Sequence, residues 1–258
     1  MYWIVKTEST RPKPEDQNMY HIKAGTIAGL LALAAGPAVA QGSAWTYEGS
    51  FYLFASETTL NVGGLEGELS FSDALDNLEF AGMGAFAASN GQWTFIADLM
   101  YFNLGFENST PGDAFSRLDT SSKTTVFNAL ALYKMRDAPT YSLHLGGGLR
   151  YFNTDTTLRL RPGTQPGRTV GDDNSWTDPI IAAMGRFKLS DTWSTTISAD
   201  YGNFINDRET YQFTVTFDYE FAENWTARAG YRYLNVDNDG DDFQLEQTGP
   251  VLGVSYRF

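Results

Sequence analysis

From Trp45 onward hydrophobic and polar residues alternate one by one along most of the chain. That is the period of a strand whose two faces meet different surroundings. The segment Thr210 to Phe221, TYQFTVTFDYEF, is the clearest case. Tyr211, Phe213, Val215, Phe217, Tyr219 and Phe221 fall on one face, and Gln212, Thr214, Thr216, Asp218 and Glu220 on the other. Successive strand side chains point to opposite sides, so this ribbon has one wholly apolar and one wholly polar face. The pattern predicts about ten strands, near 45–56, 80–89, 92–103, 124–135, 141–153, 177–189, 193–204, 210–221, 225–235 and 244–258. Eight or twelve are the adjacent even counts. Asn90-Gly91, Asp137-Ala138-Pro139, Ser190-Asp191-Thr192 and Ala222-Glu223-Asn224 read as tight turns. The other links, 57–79, 104–123, 154–176, 205–209 and 236–243, are polar and mostly longer. Short turns at one end and longer loops at the other predict an all-β fold, a transmembrane antiparallel up-and-down β-barrel.

Aromatic spacing sharpens this expectation. Trp93, Tyr141, Trp193 and Trp225 open strands that leave tight turns, and Trp45 opens the first strand. Tyr101, Tyr151, Tyr201 and Tyr233 stand near the far ends of those strands on the same faces. Eight residues at about 3.3 Å each, tilted by roughly 40°, rise about 20 Å, close to the roughly 25 Å apolar band of such barrels. Trp and Tyr collect at membrane surfaces because their rings suit acyl chains and their polar tips suit headgroups. Phe95, Ala97, Leu99, Leu143, Leu145, Leu149, Ile197 and Ala199 lie between the two girdles and would face lipid. A soluble carrier barrel or a β-sandwich would also alternate. Neither has a reason to hold aromatics at both ends of its apolar face.

If the apolar face is outward, the polar face lines the lumen. Pairing Phe221 with Trp225 across their turn sets Asp218 opposite Arg228, both inward. The other inward candidates are Glu48, Asp98, His144, Arg150, Asp178, Arg186, Lys188, Asp200, Glu220, Arg232 and Arg257. Opposite signs are mixed, and ten strands leave little room, so cross-linked side chains are expected rather than an open pore. One sector is apolar: Ala81, Met83, Ala85 and Ala87 face inward beside Ile96, Met100, Phe102, Val126, Leu130 and Leu132. Such a wall needs an apolar neighbour. Residues 70–79 are expected to supply it, as a short helix capped by Ser72 with Phe71, Leu75 and Leu78 on one side. A helix on the rim, or an apolar solute against the wall, are the alternatives.

Composition excludes several classes. The net charge of −13 argues against nucleic acid, whose phosphates need a basic face. There is no Cys for a disulfide framework or thiolate metal site. Residues 19–40, MYHIKAGTIAGLLALAAGPAVA, show a basic start, an apolar run and an Ala38-Val39-Ala40 cleavage site, the three parts of a secretory signal. Residues 1–18 then read as an upstream start extension, and 41–258 as the barrel domain. The order predicts export and residence in the outer membrane of a Gram-negative bacterium, with membrane lipid and lipopolysaccharide as neighbours.

The chain ends VLGVSYRF, with Leu252, Val254, Tyr256 and Phe258 on one face. This resembles the terminal signal that hands outer-membrane barrels to their assembly machinery, with Phe258 as the final aromatic. From Trp45 to Phe258 the chain also resembles a family of small, porin-like proteobacterial outer-membrane β-barrel proteins. The matching stretches are WTDPIIAAMGRFKLSDTW, ADYGNF, TYQFTVTFDYEF, NWTARAGYRYLNVD and GPVLGVSYRF. The resemblance implies fold and location and carries over no reaction. Members tend to have Gly and Arg where this chain has Ala182 and Met184, so one expected lumen charge is missing.

No catalytic, cofactor or metal site is expected. Outer-membrane hydrolases resemble one another in setting His with Asp, Ser or Glu near the outer rim. The barrel domain has one His, His144, near the opposite end. Asp237 to Asp242, DNDGDD, resembles a calcium loop without the trailing bidentate Glu. A solvated acidic turn is the simpler reading, and weak cation bridging to lipopolysaccharide phosphates the sharper one. Two function classes remain. One is a small porin-like barrel with a narrow or plugged charged lumen, serving passive solute passage or envelope integrity. The other is a surface-binding or adhesion barrel acting through its loops without transport.

Overall fold

The computed structural model describes residues 45–62, 65–108, 113–205, 207–241 and 243–258. The expected start extension and secretory signal, and Asp242 of the acidic turn, lie outside the described residues. The strands are β1 (Thr46–Phe54), β2 (Glu57–Val62), β3 (Leu65–Leu69), β4 (Leu78–Ser89), β5 (Trp93–Asn108), β6 (Phe115–Ala138) and β7 (Tyr141–Pro162). They continue with β8 (Arg168–Lys188), β9 (Trp193–Ile205), β10 (Arg208–Ala222), β11 (Trp225–Asn238) and β12 (Phe243–Arg257). A six-residue helix, α1 (Phe71–Asp76), precedes β4. All strands but β2 and β3 close one antiparallel ring in sequence order, β12 returning to β1 with Phe51 opposite Val254. The expected ten-stranded up-and-down barrel is the fold.

Closure leaves no free edge in the ring, which a membrane-spanning sheet requires. The exterior is apolar: Phe51 is 77% exposed, Leu53 66% and Leu252 61%, while Asp98, Arg150 and Asp218 are buried inside. Water would not tolerate that inversion over a whole circumference; lipid does.

Three features depart from the sequence expectation. First, β2 and β3 form an extra hairpin in the first long link. β2 extends the line of β1 along β12, pairing Glu57 with Thr248. Second, much of 104–123 and 154–176, expected as loop, is strand: β6 and β7 stay paired out to Phe115 and Pro162, and β7 and β8 out to Leu160 and Arg168. Beyond the girdle both faces meet water, so the alternation that reveals a strand disappears while its backbone ladder persists. Third, the β10–β11 turn carries a bulge. Ala222 rather than Phe221 pairs with Trp225, yet Asp218 still faces Arg228. Asn224 takes the left-handed conformation there, φ 65°, which Asn tolerates better than most residues.

The expected loop plug does not form. Ser70, not Ser72, caps α1, its Oγ accepting from the Asp73 amide at 3.1 Å. The helix buries no residue; Phe71 is 43% exposed, Leu75 56% and Leu78 37%. Since β2 and β3 carry the chain along the β12 extension before α1 begins, the helix stays outside the lumen.

Candidate functional site

Inward side chains fill the lumen in layers. Nearest the long-loop end is an apolar layer of Phe54, Met100, Val126, Phe152, Trp176, Leu234, Val236, Phe243 and Leu245, all buried. Three rings form its centre: Phe152 lies 4.7 Å from Trp176 and 5.3 Å from Phe243, and Trp176 lies 5.4 Å from Phe243, between centroids. Met100 and Val126 of the apolar wall are covered by this layer, doing what residues 70–79 were expected to do. Trp176 and Phe243 lay in segments read as loops, which hid them; the alternation Trp176, Asp178, Ile180, Ala182 was the available signal.

Beneath it a polar belt runs round the barrel. Arg232 Nη2 donates to Asp98 Oδ2 at 2.5 Å, and Asn128 Nδ2 donates to the same oxygen at 3.2 Å. Asn128 Oδ1 accepts from Arg150 Nε at 2.7 Å, and Arg150 Nη2 donates to Asp200 Oδ1 at 2.7 Å. Asp200 Oδ2 accepts from Gln212 Nε2 at 3.3 Å, and Gln212 Oε1 accepts from Arg232 Nε at 3.0 Å. The circuit closes: Asp98, Asn128, Arg150, Asp200, Gln212, Arg232 and back to Asp98. Each amide accepts a hydrogen bond from a guanidinium and donates one to a carboxylate, so the belt has a pseudo-twofold pattern. Its two Arg and two Asp cancel, which makes burial of four charges tolerable. Tyr52 bridges, accepting from Arg232 Nη1 at 2.9 Å and donating to Asp98 Oδ1 at 2.5 Å. Thr210 accepts from Arg150 Nη1 at 2.7 Å.

The sequence placed the belt's four charges and Gln212 on the lumen face but did not single out Tyr52, Asn128 or Thr210. Their inward phase was readable. Their role was not, since a neutral side chain becomes a relay only when the register sets Asn128 beside Asp98 and Arg150. Asp178 stands outside the circuit, with Arg208 Nε at 3.2 Å.

Toward the short-turn end the lumen opens into a vestibule of about 830 Å³. Its lining includes Glu48, His144, Arg186, Arg228 and Arg257. Arg228 Nη2 lies 2.6 Å from Glu48 Oε1 and its Nε 3.2 Å from Asp218 Oδ1, and Arg257 Nη2 lies 3.7 Å from Glu48 Oε2. His144 is buried, and its Nδ1 has no hydrogen-bond partner among the described residues. Glu220 is exposed at the rim, where Lys188 pairs with Asp191 at 2.9 Å.

The aromatics stand in two exterior rows. At the short-turn end Trp193 stacks on Tyr219 at 4.7 Å, Trp225 meets Tyr256 at 4.8 Å, and Tyr256 meets Phe258 at 5.2 Å. Trp93 packs on Tyr133, Tyr141 on Phe187 and Trp45 on Phe95. At the other end Tyr211 stacks on Tyr233, and Tyr201 pairs in register with Tyr211. Tyr101 packs on Phe80, and Tyr151 is exposed opposite Phe127. Among the described residues no group of three or more His, Asp or Glu could hold a metal ion.

A closed ring, apolar outside and charged within, defines the class: an outer-membrane-type β-barrel. The outer membrane protease OmpT of Escherichia coli has a similar fold. It is 14% identical with a TM-score of 0.53, covering 83% of this chain and 97% of that one. The translocator domain of the autotransporter NalP of Neisseria meningitidis is 16% identical with a TM-score of 0.44, covering 90% of this chain and 92% of that one. At such identity the OmpT likeness is one of fold alone. No family model matches the sequence, and no curated protein matches it.

Proposed function

We propose that this chain is a sealed barrel of the Gram-negative outer membrane, porin-like in architecture, that passes no bulk solute at rest and serves envelope integrity. The observation that carries this reading is the closed circuit from Asp98 through Arg232 with an apolar layer on top of it. A water column would need to break charge-assisted bonds and wet a wall of aromatic rings at once. Lipid and lipopolysaccharide are the surroundings its exterior suits, and exposed Phe258, at the end of the closing strand, is the handle for assembly. A non-enzymatic role fits His144, which no carboxylate or hydroxyl orients among the described residues.

Surface binding is the second reading. It is favoured by the paired extension of β6, β7 and β8 beyond Tyr151, which displays exposed Arg117 and Arg161 paired on a half-buried Asp119. Planar-bilayer recording of the refolded protein tests the first reading. The expected trace is a baseline without current steps. A steady ohmic conductance in the unmodified protein would overturn it.

A further inference from the structure

We infer that the vestibule is a binding site for a small monoanionic amphiphile, its carboxylate held by Arg186 and its alkyl chain laid against the apolar wall beneath the belt. The charge count carries the first half. Three guanidiniums, Arg186, Arg228 and Arg257, meet at this end of the lumen with the carboxylate of Glu48, which lines the vestibule, and that of Asp218, which pairs with Arg228, while Lys134 and Asp137 of the lining pair with each other at 2.9 Å. Those carboxylates are already used. Glu48 is flanked by Arg228 and Arg257, and Asp218 accepts from Thr196 at 2.7 Å and Thr216 at 2.9 Å beside Arg228. Arg186 has no carboxylate within ion-pair distance among the described residues, although it sits inside the barrel. Glu220 is two residues nearer the rim than Asp218 and exposed. The surplus is one positive charge, partly withdrawn from water, with five donors pointing into a cavity.

The second half rests on the rest of the lining. Ala87, Ile96, Leu130, Leu132, Ala182 and Met184 border the same cavity. Arg186, Met184 and Ala182 follow one another as inward residues of β8, and Leu132 and Ala182 both lie opposite Gly146 of β7. From Arg186 to that level is four residues, so about 10 Å along the barrel axis at roughly 40° tilt. A medium-length alkyl chain spans that distance. Its methyl end would stop below Asp98 and Asp200, which are engaged by the belt. A dianion or a cation fits poorly: one uncompensated guanidinium matches one negative charge, and the apolar wall offers a second charge no partner. The site stands whether or not the barrel conducts, because it lies on one side of the seal.

Methyl-labelled methionines provide the test. Met184 lines the vestibule, Met100 is buried above it, and Met135 is 62% exposed on the exterior. The barrel is reconstituted in zwitterionic nanodiscs and titrated with octanoate, then with 1-octanol. Octanoate is expected to shift the Met184 methyl resonance saturably while leaving Met135 in place, and octanol to bind far more weakly. Arg186→Gln is expected to weaken octanoate roughly tenfold or more, the usual worth of a charge-assisted pair. An unchanged Met100 resonance certifies that the variant is folded. Three results would each overturn the assignment: no saturable shift at Met184, octanol binding as well as octanoate, or R186Q binding octanoate like the unmodified protein. The octanol comparison needs no variant, so the proposal stays exposed even if R186Q fails to fold.

Discussion

Asp98 of β5 and Arg232 of β11 meet inside the barrel at 2.5 Å, with β4, β1 and β12 between their strands on the shorter way round. A contact of that kind ties opposite walls together, so its loss is felt by the whole ring. Arg232→Met leaves the buried Asp98 carboxylate facing a thioether, with the Tyr52 phenol and the Asn128 amide as its remaining donors. Breaking a buried pair from one side costs about 3–5 kcal/mol. Asp98→Asn combined with Arg232→Met removes both charges and is expected to recover most of that loss. Urea unfolding in lipid vesicles, followed by Trp fluorescence, measures both variants against the parent. Equal loss in the single and double variants would mean that the pair is not coupled.

Seal and belt stand in series, and this predicts an unusual pattern of conductance. Phe152→Ala with Trp176→Ala removes two of the three central rings, at about 3–5 kcal/mol each. Current should still be absent, because the belt continues to block the path. Adding Arg150→Ala and Arg232→Ala should produce discrete steps in planar bilayers. Steps from the ring variant alone would show that the belt is no barrier.

What the sequence disclosed follows the membrane. Between the girdles each strand has one lipid face and one lumen face, so Thr210 to Phe221 can be read residue by residue, and the alternation alone brings Asp218 opposite Arg228. Above the girdle that contrast vanishes, and Leu118, Leu160 and Arg168 gave no sign of belonging to paired strands. The same boundary explains the plug. An apolar wall at Met100 and Val126 was legible, but the rings covering it come from Phe152, Trp176 and Phe243, distant in sequence and partly beyond the amphipathic stretch. Residues 70–79 were the nearest apolar segment by chain position. Closing the barrel brings nearer ones by space.

Gly148 offers a test of how closely β6 and β7 approach. A Cβ there would lie 1.8 Å from the Ala129 carbonyl oxygen, a backbone atom that cannot move without parting the strands. Gly148→Ala is therefore expected to fail in assembly or to unfold at markedly lower urea. Gly171→Ala, whose Cβ would meet nothing nearer than 3.8 Å, should behave like the parent. A heat-modifiability gel of both variants decides it, and a stable G148A barrel would show that the strands can separate at little cost.

Two acidic groups at the long-loop end should respond to pH in opposite senses. Hydrogen bonding from Arg161 holds the Asp119 carboxyl below its ordinary range, helped by Arg117. The folded state keeps this group ionised where the unfolded chain already binds a proton. Its contribution is therefore full above the ordinary carboxyl value of the unfolded chain, and it fades as pH falls through the lower folded value. Desolvation pushes Asp237 the other way, reinforced by Asp239 and by Glu209, directly opposite on β10. That carboxyl takes up its proton more readily when folded. The strain it causes is present at neutral pH and relieved as pH falls through its raised folded value. Amide exchange should thus show the β10–β11 end gaining protection on mild acidification, before the Arg117 to Arg161 cluster loses any. Asp237→Asn should raise protection at neutral pH and abolish the gain. If D237N instead left the β10–β11 end as it was at every pH, the crowding of Asp237, Asp239 and Glu209 would carry no energetic weight.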